Sequence, residues 1–264
     1  MTASSGPSWI ARELDFARVG DVFTLTPPPR GPAERMFGGL IAAQALYVAG
    51  LTAGPGKLPQ SLHLYFVRGG RYGTDVQLTV ERTRDGRSFD TRRVTAGQQG
   101  QTILEMIASF HRPEPDVDSQ PPAAPALALA DAVPKTPELG FFAELFELRV
   151  APGDDSVFAL PPFWIRTREG IEDDPLIRAA LLTFMSDLGP APAARPAGMD
   201  PAEGYSASLD HAVWFHRPFL PDRWHRYEVT PRNNSDSRGL VTGAMYDTEG
   251  ALIATTAQEA LWRR

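Results

Sequence analysis

Two stretches of the chain carry apolar residues at helical spacing. In "MFGGLIAAQALYVAG" (36–50) polar positions are nearly absent, which predicts a buried, small-residue helix with Gly39 near its start. In "DDPLIRAALLTFMSDLG" (173–189), Leu176, Ala179, Ala180, Thr183 and Phe184 fall on one helical face. Asp174 is placed there to cap the helix and Pro175 to open it. The segments that follow each helix read as strands. After the first come "SLHLYFVRGG" (61–70) and a stretch over 74–113, the latter three strands joined at Asp85-Gly86 and Gln99-Gly100. After the second come "SLDHAVWFHRPF" (208–219) and runs near 224–230, 237–247 and 251–262.

The two series match as element orders, which predicts a duplication. "SLHLYFVRGG" and "SLDHAVWFHRPF" share Ser-Leu, then His, then aromatic-Phe-x-Arg. Gly100 and Gly250 stand at the same point before the final strand. Each unit is therefore expected to be one long helix followed by an antiparallel meander, an α+β arrangement. Residues 113–138, dense in Pro and Ala, read as a linker between units spanning 1–112 and 139–264.

The duplication turns one residue into a question. With Gly100 set against Gly250, the counterpart of "TTAQEA" is "MIASFH", and Ala108 stands where Gln258 does. One copy places a small apolar residue in its last strand and the other a primary amide. A buried amide without partners costs about 1–3 kcal/mol, so Gln258 needs neighbours. Asp187 raises a similar question. A carboxylate at the end of a helix faces the negative end of the macrodipole, unfavourable by up to ~1 kcal/mol.

Composition narrows the function. At 264 residues, with 42% apolar and 22% charged residues, the chain can bury a sizeable core. A net charge of −6 argues against a nucleic-acid partner. The absence of cysteine removes disulfides, thiolate zinc sites and cysteine nucleophiles together, and the five histidines form no ligand-like cluster. The N-terminal twenty residues lack the apolar core of a signal peptide, and no run reaches the ~18 apolar residues of a membrane span. A cytoplasmic protein with no membrane partner is the expectation. The C-terminal "LWRR" is no peroxisomal address.

Several segments together resemble the type II acyl-CoA thioesterase family, whose fold is a double hot-dog. They are "MFGGLIAAQAL" (36–46), "LHLYFVRGG" (62–70), "ERTRDGRSFDTRRV" (81–94), "FWIRTR" (163–168), "SDL" (186–188), "SLDHAVWFHRPF" (208–219) and "ATTAQEALWR" (254–263). The resemblance implies two tandem units, each a long helix wrapped by a curved antiparallel sheet, with the active site built mainly from the second. It implies hydrolysis of acyl-CoA thioesters in fatty-acid and lipid metabolism, without metal or organic cofactor, in a protein expected to form homo-oligomers. In the family an Asp, a Thr or Ser and a Gln hold the attacking water. Matched motif by motif, these are Asp187, Ser208 and Gln258, with Ser in place of the Thr of some members.

Other residues carry weaker chemistry. "GYSAS" (204–208) looks like a nucleophile elbow, but it ends in Ser208 instead of Gly and leads into a strand. Asp210 and His211 are adjacent in a strand, so they point to opposite faces and cannot easily converge on one substrate. "RTRDGRSFDTRR" (82–93) gathers five arginines on one hairpin. It is either a solvated edge or a site for CoA phosphates, with Arg87 and Arg92 the candidate ligands. Gly38 and Gly39 open the first helix, where backbone amides could polarise a thioester carbonyl or simply allow close packing. "LLTFM" (181–185) could line an acyl tunnel or be ordinary core. Three other functions stay open at this point: a double hot-dog enoyl-CoA hydratase, a non-catalytic acyl-CoA binder, and a hydrolase of other esters or thioesters.

Overall fold

Turn and cap chemistry sets most element boundaries. A computed structural model of the chain describes residues 6–30, 35–122, 125–136, 144–154, 160–196, 198–199 and 205–263. The expected unit start at residue 139 and Gly204 of "GYSAS" lie outside these. Strands β4 (Val76–Asp85), β5 (Phe89–Gln98) and β6 (Gln101–His111) meet at the two predicted turns. At the second, Gln99 and Gly100 both have positive φ, the signature of a two-residue hairpin. In the second half β12 (His225–Ser235), β13 (Arg238–Tyr246) and β14 (Leu252–Arg263) repeat the meander. The turn into β14 is fixed by Asp247, whose carboxylate accepts from the amides of Glu249 (2.9 Å) and Ala251 (2.8 Å).

Contacts group the chain into two units. The first comprises Met1–Asp116, Glu172–Met185 and Ala212–Phe215. It holds a short helix α1 (Trp9–Glu13), the strands β1 (Ala17–Val19) and β2 (Val22–Leu25), and the first long helix α2 (Gly38–Gly50). Its antiparallel sheet runs β1-β2-β4-β5-β6-β3, with β3 spanning Leu58–Phe66. The second long helix, α3 (Pro175–Ser186), starts as predicted: Asp174 Oδ1 accepts from Leu176 N at 2.7 Å and Ile177 N at 3.3 Å. Most of α3 falls in this unit because it lies against α2. A Cβ on Gly39 would meet the Phe184 carbonyl oxygen at 2.6 Å, and one on Gly50 would meet Leu176 Cδ1 at 2.3 Å. Only glycine allows that approach. α3 is buried on every side from Ala180 to Ser186, wider than the single face its periodicity predicts, because apolar neighbours surround it.

The second unit comprises Val117–Ile171, Ser186–His211 and His216–Arg264. Its sheet runs β14-β13-β12-β9-β8-β7, with β7 (Val133–Lys135), β8 (Phe146–Val150) and β9 (Phe163–Thr167) antiparallel, and β10 (Tyr205–Ser208) pairs with β14. β11 (Asp210–Phe215) has its first two residues in this unit and the rest in the other. A short helix α4 (Pro190–Ala193) follows α3. The Pro/Ala-rich connection also packs. Leu127 and Ala132 are buried against Trp164, whose indole N–H donates to Leu127 O at 3.0 Å, and Gln120 pins the start of β14 through Leu252 N at 2.7 Å.

Candidate functional site

β14 explains why its centre is polar. Its inward positions include Ala254, Thr256, Gln258, Ala260 and Trp262, so a period-two strand aims Thr256 and Gln258 into the unit. In the first unit, Ala108 occupies the corresponding inward position of β6 and is buried. Gln258 is 1% exposed, and its amide nitrogen donates to Asp187 Oδ1 at 3.0 Å and to Ser208 Oγ at 2.8 Å. The three residues singled out in the sequence therefore meet through one side chain. The bonding also fixes the amide's orientation. A carboxylate only accepts, so Gln258 must turn Nε2, not Oε1, toward Asp187.

Asp187 follows the last residue of α3 and is buried at 7% exposure. Several contacts hold that helix end. The Tyr227 hydroxyl donates to Ser186 O at 2.8 Å, satisfying one of the carbonyls that a helix terminus leaves open. Since the phenol has one proton, it must accept from Thr256 Oγ1, 2.9 Å away. Burial raises the Tyr227 pKa, the Thr256 bond opposes this, and the nearby Asp187 charge adds to it. Ser186 Oγ lies 2.8 Å from His211 Nε2. Two residues on, Gly189 has φ +103, and a Cβ there would approach Pro161 Cγ at 2.9 Å and Phe163 Cε1 at 3.2 Å. Only glycine fits that turn.

Ser208 ends β10, opposite Ala260, and the chain continues through Leu209 into β11. A strand leading to a strand is not the strand–turn–helix of a nucleophile elbow. His211 bonds to Ser186, and Ser208 to Gln258, so among the described residues no imidazole is paired with the serine. Asp210 and His211 point to opposite faces, as strand geometry requires. His211 is fully buried, while Asp210 Oδ1 accepts from Glu259 N at 2.7 Å. This pair does not form the converging acid and base of a hydratase.

The remaining candidates fall in the first unit. Arg92 is corrected: it has no exposed surface, and all five of its N–H groups have acceptors. These are Thr52 Oγ1 and O, Arg84 O, Thr91 O and Asp85 Oδ1. A guanidinium so enclosed braces the hairpin against the end of α2 and offers nothing to a phosphate. Beside it, burial would raise the Asp90 pKa. Lys57 and the amides of Gly54 and Gly86 outweigh that and hold it at about 2. Arg87 is exposed and lines an open cleft of about 690 Å³ with Lys57, Arg112 and Glu114. Gly39 is accounted for by its approach to Phe184, and Gly38 sits half-buried at the first residue of α2. The "LLTFM" residues are all buried, with Phe184 edge-on to Trp9 and Phe37, as core side chains pack.

Sequence reasoning passed over Tyr227, Thr256 and Ser186. Thr256 carried a signal, since it shares Gln258's parity in β14. Tyr227 and Ser186 carried none, because their partners are remote in sequence. No helix among the described residues is long and apolar enough to cross a membrane.

Comparison with known proteins bears on this geometry. A model of the acyl-CoA thioesterase N-terminal domain matches residues 26–111, and one of the C-terminal domain matches residues 118–262. Human acyl-coenzyme A thioesterase 8 is 34% identical over 262 residues, covering 88% of this chain and 82% of that protein. The crystal structure of an acyl-CoA thioesterase II, TesB2, from Mycobacterium marinum is 33% identical. It superposes with a TM-score of 0.83 over 96% of this chain and 98% of its own. A hot-dog-fold protein from Alicyclobacillus acidocaldarius shares the fold at 16% identity, with a TM-score of 0.77 over 98% of this chain and 99% of its own.

Proposed function

Because this chain belongs to the acyl-CoA thioesterase family, matched over both of its domains, we propose that it hydrolyses acyl-CoA thioesters with a water held by Asp187, Ser208 and Gln258. The observation that carries this reading is the Gln258 amide nitrogen bonded at once to Asp187 Oδ1 and Ser208 Oγ. The Asp187 carboxylate, an acceptor only, takes a hydrogen bond from the water. Ser208, accepting from Gln258, keeps its own proton to donate to the water oxygen. Asp187 takes the water's proton as the oxygen attacks the thioester carbonyl carbon. The tetrahedral adduct then expels the CoA sulfur, which leaves as thiol with that proton. A thiol of pKa ~8.5 is a good leaving group, so positioning by three side chains is machinery enough.

No acyl-enzyme enters this scheme, since among the described residues no histidine is bonded to the serine and the chain has no cysteine. The fold reading behind it is a double hot-dog, with units at 1–112 and 139–264 joined by 113–138. Arg87, exposed in its cleft, is the arginine we assign to CoA phosphates. Thiol release from acyl-CoAs of graded chain length tests the activity directly. Release with at least one acyl-CoA is expected. A panel that binds without releasing thiol would point to an acyl-CoA binder.

A further inference from the structure

Behind the three residues lies a histidine that the scheme above does not use. His211 is fully buried, and its Nδ1 has no hydrogen-bond partner among the described residues. Gln258 Oε1 is likewise buried without one. The Gln258 side chain is close enough to pull the His211 pKa upward, although burial dominates and brings it down to about 4, so the ring is neutral. A neutral imidazole carries one N–H, and its two nitrogens must divide the roles of donor and acceptor.

The polarity follows from Asp187 outward. The carboxylate and the Ser208 hydroxyl take the two N–H groups of Gln258, which leaves Oε1 on the other side of the amide needing a donor. His211 supplies one only as the Nδ1–H tautomer. Its Nε2 must then accept, and the group 2.8 Å from it is the Ser186 hydroxyl, which can donate. Resting on the water-holding reading above, we infer that His211 is a positioning residue for hydrolysis: oriented by Ser186, it donates Nδ1–H to Gln258 Oε1 and locks the amide in the one orientation that serves Asp187 and Ser208. His211 Nδ1 and Gln258 Oε1 are both buried without partners among the described residues, and the Gln258 side chain lies near enough to act on the ring. Ser186, the last residue of α3, directly precedes Asp187, so the chain of bonds ends on the same helix terminus that carries the carboxylate.

The test combines kinetics with a measurement on the unaltered chain. Nitrogen NMR of the histidine rings should show His211 neutral with its proton on Nδ1. A proton on Nε2 would overturn the inference, and this readout needs no variant to fold. His211→Leu should lower kcat by about 10- to 100-fold, with KM within about threefold, since misplacement by an ångström is worth that much. His211→Asn, whose amide N–H can stand in for Nδ1–H, should recover most of the loss. In a Gln258→Ala background, His211→Leu should lower kcat no further, because its effect passes through the amide. A fully additive loss, or a His211→Asn as slow as His211→Leu, would overturn it. The two readings fail differently. Wild-type kcat in Gln258→Ala removes the water-holding scheme and this role with it, whereas a slow Gln258→Ala beside an unimpaired His211→Leu removes this role alone.

Discussion

Asp187→Asn is expected to lower kcat by about 100- to 10,000-fold, the range of a lost general base, with KM changed little. The argument is one of donors and acceptors. Gln258 Nε2 would hold the Asn carbonyl oxygen where Asp187 Oδ1 now sits, 3.0 Å away. The Asn NH2 would then face the site, presenting a donor where the water needs an acceptor, and it cannot take a proton. Stability should move the other way. The carboxylate stands just past the C-terminal turn of α3, against the negative end of the helix dipole, and neutralising such a charge gains about 0.3–1 kcal/mol. Steady-state thiol release and thermal melting on the same sample check both halves. A variant that loses activity while melting no lower than the parent has lost chemistry, not fold. Retention of activity within a few-fold would remove Asp187 from the role of base.

Gln258→Ala should be the second largest loss, about 100-fold or more in kcat. The strand itself tolerates alanine, as Ala108 shows at the matching position of β6. The damage is to partners. Asp187 Oδ1 and Ser208 Oγ both lose their shared donor, at about 1–3 kcal/mol for each group left unmet. The two groups, no longer tied to one amide, are then free to turn apart. Gln258→Glu separates shape from hydrogen bonding. It fills the same volume but sets a second carboxylate against Asp187, so one of the pair must hold a proton. It should therefore be no more active than the alanine variant at neutral pH. A glutamate variant near parental kcat would show that volume, not the donated bonds, matters at this position.

How much was legible in the sequence depends on the range of each interaction. Asp174-Pro175 and Gln99-Gly100 act within a few residues, and the structure has them as the sequence predicts. Gln258 became legible through the repeat, because Ala108 supplied the contrast, and the resemblance supplied Asp187 and Ser208 as its partners. Arg92 was misassigned although a signal was present. Counting back by twos from Val94 and Ala96, buried positions of β5, places Arg92 on the inward face, as strand geometry demands. Charge clustering on the hairpin outweighed parity in that reading. The close packing of α2 on α3 was not legible, since nothing local in "FGGL" shows that Gly39 meets Phe184. The Tyr227–Ser186 and His211–Ser186 bonds were hidden for the same reason: each joins elements far apart in the chain.

The central claim is that the held water attacks the thioester itself. A single turnover in water enriched in the heavy oxygen isotope, with enzyme in excess over acyl-CoA, reads this from the mass of the released acid. Direct attack puts one solvent oxygen into the acid in that first turnover. An acid released without label, its new oxygen taken from the Asp187 carboxylate by way of a mixed anhydride, would contradict the account.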